Sequence, residues 1–345
     1  MARQKRTTIY DIARHLNLSP GTISKIMNGK GQVPSATREK VLNYVKEINF
    51  VANINARNLK SSRSYTIGIV FHDLALFGLE HPFFSTILQA FKNYVEAKGY
   101  EIVFIVDKLG DRQLSIVEWC ANKKVDGVLM ITGNKASPDL IALTESTFPT
   151  VSVDNIMPKL TTVISNDQQG IELGIQHFIQ LGFKTIAAFT GPLYSRAYSE
   201  RMRAFKEILF TRNLDVPREW IFECQGFSYQ SAFEKGLEWI QTWKKVPEAI
   251  FCFSDNLAMG LIHALQKEGY KVPKDISVIG FDDAQFSILF NPPLTTIRQN
   301  KKAIAETAGK ILLDMIEQGV NSPITHVYQV PVELVVREST QVKKH

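Results

Sequence analysis

The chain has 345 residues, is 45% hydrophobic and carries a formal net charge of +6, from 40 Lys and Arg against 34 Asp and Glu. That length and apolar content suffice for two or three separately cored domains. No apolar run approaches the ~18 residues of a membrane helix and no signal-peptide core opens the sequence, so a cytoplasmic protein without membrane contact is expected.

Charge is unevenly placed along the chain. Residues 1–65 hold twelve Lys and Arg against three acids, a net of +9, which leaves −3 for the remainder. A basic head on a mildly acidic body suits phosphate-backbone binding by the head. Within the head, residues 8–28 read as two short helices joined by a tight polar turn. Thr8 and Asp11 have the spacing of a capping box, after which Ile9, Ile12, Ala13 and Leu16 fall on one face. Following the turn at Asn17-Leu18, Ser19 can cap a second helix with Pro20 at its first position, where the missing N–H is harmless. Ile23, Ile26 and Met27 form its apolar stripe and leave Thr22, Ser24, Lys25 and Asn28 facing outward. A helix-turn-helix that places such a polar face in the major groove can reach base edges, so the second helix is the expected reader. The alternative is an αα-hairpin inside a helical core.

Gly29 and Gly31 then mark a loop, and Ser35 can cap a third helix whose stripe is Val41, Leu42, Val45 and Ile48. Residues 1–50 thus read as an all-α DNA-binding domain. Residues 51–60 have at most two turns of helix-forming length, below the roughly 12–15 residues an isolated helix needs in water. This segment and the polar stretch to 64 read as a hinge that forms only with a partner, or as a plain linker.

From Tyr65 onward, short apolar runs alternate with amphipathic stretches. Strands are expected at 66–71, 101–106, 127–131 and 151–153, with helices at about 83–98 and 113–122. A second series has strands at 185–190, 220–223, 249–253 and 277–280, with helices at about 169–181, 198–212, 229–243 and 256–268. Such alternation predicts doubly wound parallel sheets in two α/β lobes, with a ligand cleft outside the carboxyl ends of the strands. No G-x-G-x-x-G follows a strand, and Walker A, G-x-S-x-G and His-rich metal motifs are absent, so no catalytic residue, cofactor or metal is expected. Cys120, Cys224 and Cys252 are isolated and read as buried thiols.

The ordered motifs Y-D-I-A at 10–13, L-S-P-G-T-I-S-K-I-M-N-G at 18–29, T-R-E-K-V at 37–41 and Y-T-I-G-I-V at 65–70 resemble the LacI/GalR family of bacterial transcriptional regulators. So do R-x-x-A-F at 201–205, S-D-N-L-A-M-G at 254–260, P-K-D-I-S-V-I-G-F-D-D at 273–283, P-P-L-T-T-I at 292–297 and V-R-E-S-T at 336–340. The resemblance spans nearly the whole chain. It implies a homodimer on pseudo-palindromic double-stranded operator DNA, with paired hinge helices in the central minor groove. The DNA-contacting set it implies is Thr8, Ser19, Pro20, Gly21, Thr22, Ser24, Lys25 and Asn28, with Asn53 capping the hinge helix, Ala56 on it and Leu59 as the apolar wedge that kinks the duplex. Departures from the family pattern are Lys25 in place of an arginine, Pro20 and Gly21 in place of long base-reading side chains, Ala52 in place of the proline before the hinge, and Ser254 in place of an asparagine.

The same resemblance implies a periplasmic-binding-protein-like sensor and dimerisation domain over 65–340. Its amino lobe is about 65–164 and 298–324, and its carboxyl lobe about 165–297 and 325–340. The implied effector-binding residues are His72, His81, Phe84, Asp154, Arg201, Phe227, Asp255 and Asp282. Carboxylates and arginine take hydroxyls while aromatic rings cover apolar faces, which suits a sugar or sugar derivative. Other readings are available: Phe84 can be core, Asp255 and Asp282 can brace loops, and Arg196 with Tyr198 can recognise a sugar acid or phosphorylated sugar. The function expected is a non-enzymatic, ligand-controlled repressor. Rival readings are a catabolite-control regulator using a protein partner or co-repressor, and more distantly a sugar-binding transport protein. With no leucine-heptad tail after 340, a dimer is expected rather than a tetramer.

Overall fold

Helical and α/β sequence patterns segregate at residue 64. The computed structural model divides there into two units, Met1–Ser64 and Tyr65–His345; it describes residues 7–27, 31–48, 50, 63–71, 78–106, 108–131, 137–214, 217–319 and 326–343. In the first unit, helix α1 (Ile9–Leu16) opens with the expected reciprocal box. The Asp11 amide donates to Thr8 Oγ1 at 3.3 Å and the Thr8 amide donates to the Asp11 carboxylate at 2.9 Å. Such a cap contributes about 1 kcal/mol to a helix of two turns. Asn17, left-handed at φ 52°, ends it. Helix α2 (Pro20–Met27) starts on Ser19, whose Oγ accepts from the Thr22 amide at 3.1 Å.

Helix α3 (Ser35–Glu47) differs from expectation at its start. Pro34 occupies the cap with no side-chain hydrogen bond, and Ser35 is already helical. Leu42 is 45% exposed while Val41 is fully buried, because 41, 45 and 48 share a face at helical spacing and 42 lies about 100° away. Ile12, Ala13, Leu16, Ile23, Ile26 and Val41 form the core, and His15 stacks on Tyr44 with centroids 4.2 Å apart. Most of the hinge segment lies outside the described residues.

The second unit begins with β1 (Thr66–Phe71), α4 (Pro82–Glu96), β2 (Glu101–Ile105), the short strands β3 (Lys108–Leu109) and β4 (Arg112–Gln113), α5 (Ile116–Lys123), β5 (Gly127–Ile131), α6 (Pro138–Glu145), β6 (Thr150–Val153) and β7 (Thr161–Ser165). It continues through α7 (Asp167–Gln180), β8 (Ala187–Thr190), α8 (Arg196–Thr211), β9 (Ile221–Glu223), α9 (Tyr229–Gln241), β10 (Ala249–Cys252), α10 (Asp255–Lys267), β11 (Ser277–Asp282) and β12 (Thr295–Gln299). It closes with α11 (Lys301–Gln318), β13 (His326–Val330) and β14 (Val332–Val335).

Two six-stranded sheets result, in the orders β13-β7-β6-β5-β1-β2 and β14-β12-β11-β10-β8-β9, with β14 antiparallel to β12 and every other pair parallel. Their central strands are buried apolar runs, as parallel strands covered on both faces require. Helix α11 packs its Ile304, Ala305, Ala308 and Leu312 with Phe91 of α4 in the amino-lobe core. On the carboxyl lobe, Gly170 and Gly174 let α7 approach the Phe281 and Phe251 rings.

The lobe boundaries need one correction. Residues 326–330, expected in the carboxyl lobe, form β13 and pair in parallel with β7 of the amino lobe. Pro331 lacks the N–H that would continue that ladder, and the chain crosses to the carboxyl lobe only at β14. The lobes are therefore joined by three crossings, after Ser165, after Gln299 and at Pro331. Among the described residues no helix is long and apolar enough to cross a membrane.

Candidate functional site

On α2 the proposed reading face is an exposed polar strip. Ser19, Gly21 and Lys25 are exposed, and Pro20, Thr22 and Ser24 are partly buried. The Thr22 and Ser19 hydroxyls lie 2.8 Å apart and bond each other. The Lys25 stem runs beside Gly31, whose φ of +84° suits glycine. At the start of α1 the exposed Thr8 hydroxyl donates to Asp11 at 2.7 Å inside the capping box. Asn28, Asn53, Ala56, Leu59 and the cleft candidate His72 lie outside the described residues.

In the second unit the segments after β6, β8, β10 and at the end of β11 carry Asp154, Arg201, Asp255 and Asp282, but their environments divide them. Arg201, in the second turn of α8, is 4% exposed. Its Nε donates to Asp167 at 2.8 Å, its Nη1 to the Phe253 carbonyl at 2.6 Å, and its guanidinium carbon lies 3.6 Å from the centre of the Phe281 ring. Arg196, the first residue of the same helix, donates to the Asp154 carbonyl at 2.8 Å, to Asp167 at 3.0 Å and to the Asp154 carboxylate. Burial opposes its charge, yet Asp154 and Asp167 outweigh burial and keep the guanidinium firmly protonated. Arg201, read from sequence as a ligand anchor, and Arg196, its alternative, are thus engaged by the protein's own acids and carbonyls.

Asp282 sits at the end of β11 with φ +132°, followed by Asp283 at +48°, and Asp154 after β6 has φ +66°. Three aspartates held in left-handed or extended positive-φ conformations at strand ends store backbone strain where the lobes face each other. The partly buried Asp282 carboxylate accepts from Gln299 Nε2 at 2.5 Å, and the Lys301 ammonium donates to its carbonyl. Burial raises its pKa, and Arg201, Lys301 and Gln299 only partly offset that rise.

Asp255 corrects the sequence reading. It is fully buried, and its carboxylate accepts from the Ala284 amide at 2.7 Å, from Thr296 Oγ1 at 2.5 Å and from Ser287 Oγ. It braces the loop after β11 from beneath and presents no oxygen to the cleft. Burial, then the neighbouring charge of Asp282, raises its pKa.

Phe84 is likewise core rather than cleft lining, buried with Ile87 and Phe91 and edge-on to Phe71 and Phe83. His81 caps α4 and packs its ring 4.6 Å from Phe84. Phe227 is partly buried between two tyrosines, with ring centroids 6.0 Å from Tyr194, itself 70% exposed, and 5.7 Å from the buried Tyr198. The Tyr198 ring fills the space a side chain at Gly191 would need, and burial raises its pKa against the hydrogen bond to Ser254.

Asp167, Gln299, Ser165, Lys301 and Tyr194 stand among or bond to these candidates and were not singled out from the sequence. Asp167 carries a faint signal, an acid two residues before the helix expected at about 169–181. The others become visible only through long-range contacts, such as Ser165 Oγ donating to Gln299 Oε1 at 2.5 Å across 134 residues. No cluster of three or more His, Cys, Asp or Glu suited to a metal ion occurs among the described residues.

The pattern of bacterial regulatory proteins of the lacI family matches residues 8–53, and that of the periplasmic binding protein-like domain matches residues 175–340. The chain is 34% identical over 341 residues to the HTH-type transcriptional repressor PurR of Aliivibrio fischeri (strain MJ11), covering 96% of this chain and 98% of that one. It is 31% identical over 338 residues to the repressor of the same name from Vibrio vulnificus (strain CMCP6), with 97% and 98% covered. Its fold is similar to that of the lac repressor dimer bound to operator and the anti-inducer ONPF, with a TM-score of 0.81 at 27% identity over 98% of this chain and 100% of that one.

Proposed function

Because the chain belongs to the LacI family of bacterial regulatory proteins, we propose that the cleft around Asp282, Phe227 and Tyr194 binds an uncharged, donor-rich small molecule that controls operator binding by α2 and the hinge. The protein is a dimeric DNA-binding transcriptional regulator of the repressor type, answering to a small-molecule effector. The observation that carries the effector class is the engagement of both arginines. Arg196 and Arg201 bond Asp154, Asp167 and the Phe253 carbonyl, while Asp282 is a partly exposed acceptor.

An anionic effector would have to break a buried ion pair to gain a cation, at a cost of several kcal/mol. A sugar or polyol instead donates hydroxyls to Asp282 and lays its C–H face on Phe227 or Tyr194. Planar nitrogen heterocycles with ring N–H donors meet the same chemistry, and the aromatic pair of Tyr194 and Phe227 favours keeping them as the second class.

In this reading Ser19, Gly21 and Lys25 lie against the duplex, with Thr22 and Ser24 beside them, and Leu59 wedges the central step. Effector binding changes the preferred lobe arrangement, and that change alters the geometry in which the hinge segments can fold on DNA. Coupling is reciprocal, so whatever factor the effector applies to operator affinity, operator applies to effector affinity. The test is a thermal-shift screen of purified protein against neutral sugars, sugar acids, sugar phosphates and nucleobases, with each hit repeated on Phe227→Ala and Asp282→Asn. A neutral hit lost in both variants supports the reading. A hit confined to sugar acids or phosphates, or one retained in both variants, rejects it.

A further inference from the structure

The arginines and aspartates of the cleft form a single row of alternating charge that passes from one lobe to the other. Asp282, at the end of β11 in the carboxyl lobe, directly follows Phe281, whose ring centre lies 3.6 Å from the Arg201 guanidinium carbon, and that guanidinium favours its charged form. Arg201 Nε donates to Asp167 Oδ1 at 2.8 Å, and Asp167 Oδ2 accepts from Arg196 Nη1 at 3.0 Å. Arg196 then donates to Asp154, both carboxylate and carbonyl, at the end of β6 in the amino lobe. The three inner members are nearly closed to solvent, with side-chain exposures of 5% for Arg201, 4% for Asp167 and 10% for Arg196.

Asp167 is central to this row in space, and in the chain it stands just past a lobe crossing. It is the first residue of α7, two residues after the strand β7 with which the chain leaves the amino lobe. Its two oxygens are divided between two arginines five residues apart on α8, so neither guanidinium can rotate without releasing one of them. We propose that Asp167 is the positioning residue that fixes lobe orientation: through Arg196 it ties the carboxyl lobe to Asp154, and through Arg201 it ties that same contact to the ligand-facing Asp282.

A buried bridge of this kind adds little net stability compared with apolar packing, but it is costly to break from one side. That property makes it an orientation device rather than a general source of stability. Its link to effector control rests on the reading of the cleft given above, whereas the orientation itself is measured without any effector or DNA.

The experiment is a pulsed electron paramagnetic resonance distance between spin labels at Ala142→Cys on α6 and Gln241→Cys on α9, both exposed positions. The native cysteines are all buried and stay unlabelled, and labelled chains are diluted with unlabelled ones so that each dimer reports one pair. The full chain with Asp167 intact should give one narrow distance distribution. Asp167→Asn and Asp154→Asn should each shift or broaden it by several ångström, while Gly174→Ala, which disturbs packing under α7 without touching the row, should leave it in place. If Asp167→Asn fails to fold, Asp154→Asn decides alone, since it removes the carboxylate charge of the bridge at the amino-lobe end and leaves Arg196 only neutral acceptors there. Distributions unchanged in the aspartate variants, or moved equally by Gly174→Ala, overturn the proposal. Movement in Asp167→Asn but not in Asp154→Asn also overturns it, because Asp167 would then act inside one lobe only.

Discussion

Replacing Arg201 with leucine distinguishes a brace from a ligand anchor. The substitution removes the 2.8 Å bond to Asp167 and the 2.6 Å bond to the Phe253 carbonyl. It also removes a cation held 3.6 Å from the Phe281 ring centre. Breaking a buried ion pair from one side costs about 3–5 kcal/mol, and an orphaned buried carbonyl about 1–3 kcal/mol. These terms overlap, and Asp167 keeps Arg196 as a partner, so the expected net loss is about 3 kcal/mol. For the body Tyr65–His345 each kcal/mol moves Tm by just under about 2 °C, giving a fall of about 5 °C. Leu fills much of the space, so the variant should still unfold cooperatively. Differential scanning calorimetry of wild type, Arg201→Leu and Arg201→Lys reads the effect, with the lysine variant between the other two because it keeps the charge and loses the fork. A Tm for Arg201→Leu within about 1 °C of wild type, far below the expected shift, would refute the bracing argument and return Arg201 to the role of a free ligand anchor. The same reasoning makes an Arg201 variant a poor reporter of effector contact, since it lowers stability and ligand affinity together.

Three further outcomes are expected. Asp255 and Asp282 have pKa values raised in the folded state, so the native protein holds protons that the unfolded chain has released. Their contribution is greatest below the ordinary aspartate range and is lost as pH rises through the raised folded values. The stability of wild type relative to Asp255→Asn should therefore fall from acid to neutral pH in urea titrations, and a gap that widens instead would contradict the burial argument. Gly174→Ala puts a methyl 2.5 Å from Phe251 Cε1; overpacking of about 1–3 kcal/mol outweighs a helix gain of about 1 kcal/mol, so the denaturation midpoint should drop. Leu59→Ala should weaken operator binding in a gel-shift assay and leave effector affinity unchanged, and full operator affinity would remove the wedge role.

Helix-turn-helix chemistry was legible because its signals are local. The capping box spans four residues, and the apolar stripe of α1 repeats at helical spacing, so both can be read without knowing the partner. Buried parallel strands such as Gly127–Ile131 were equally plain as apolar runs. Strand β7 was not, since Thr161, Thr162 and Ser165 are polar residues buried in a central position. Strand β13 was placed in the wrong lobe because its exposed residues carry no mark of which sheet they join, and only Pro331 hints at the break. At the cleft, residue types at strand ends were readable but their partners were not. Whether Arg201 faces a ligand or a carboxylate depends on Asp167, 34 residues away, and Phe253, 52 away. Asp255 and Asp282 look alike in sequence, yet three donors cover one while the other stays partly open.

The central claim is that a small molecule in this cleft controls the affinity of α2 and the hinge for an operator. Its most direct test is fluorescence anisotropy with a duplex selected by the protein from a randomised pool, titrated with and without the neutral hit from the screen, in wild type and Asp282→Asn. The account predicts that the hit changes wild-type operator affinity by about 5–150-fold, the usual range of allosteric coupling, and leaves Asp282→Asn nearly unaffected. Operator affinity indifferent to the hit in wild type, or an equal response in Asp282→Asn, would contradict it.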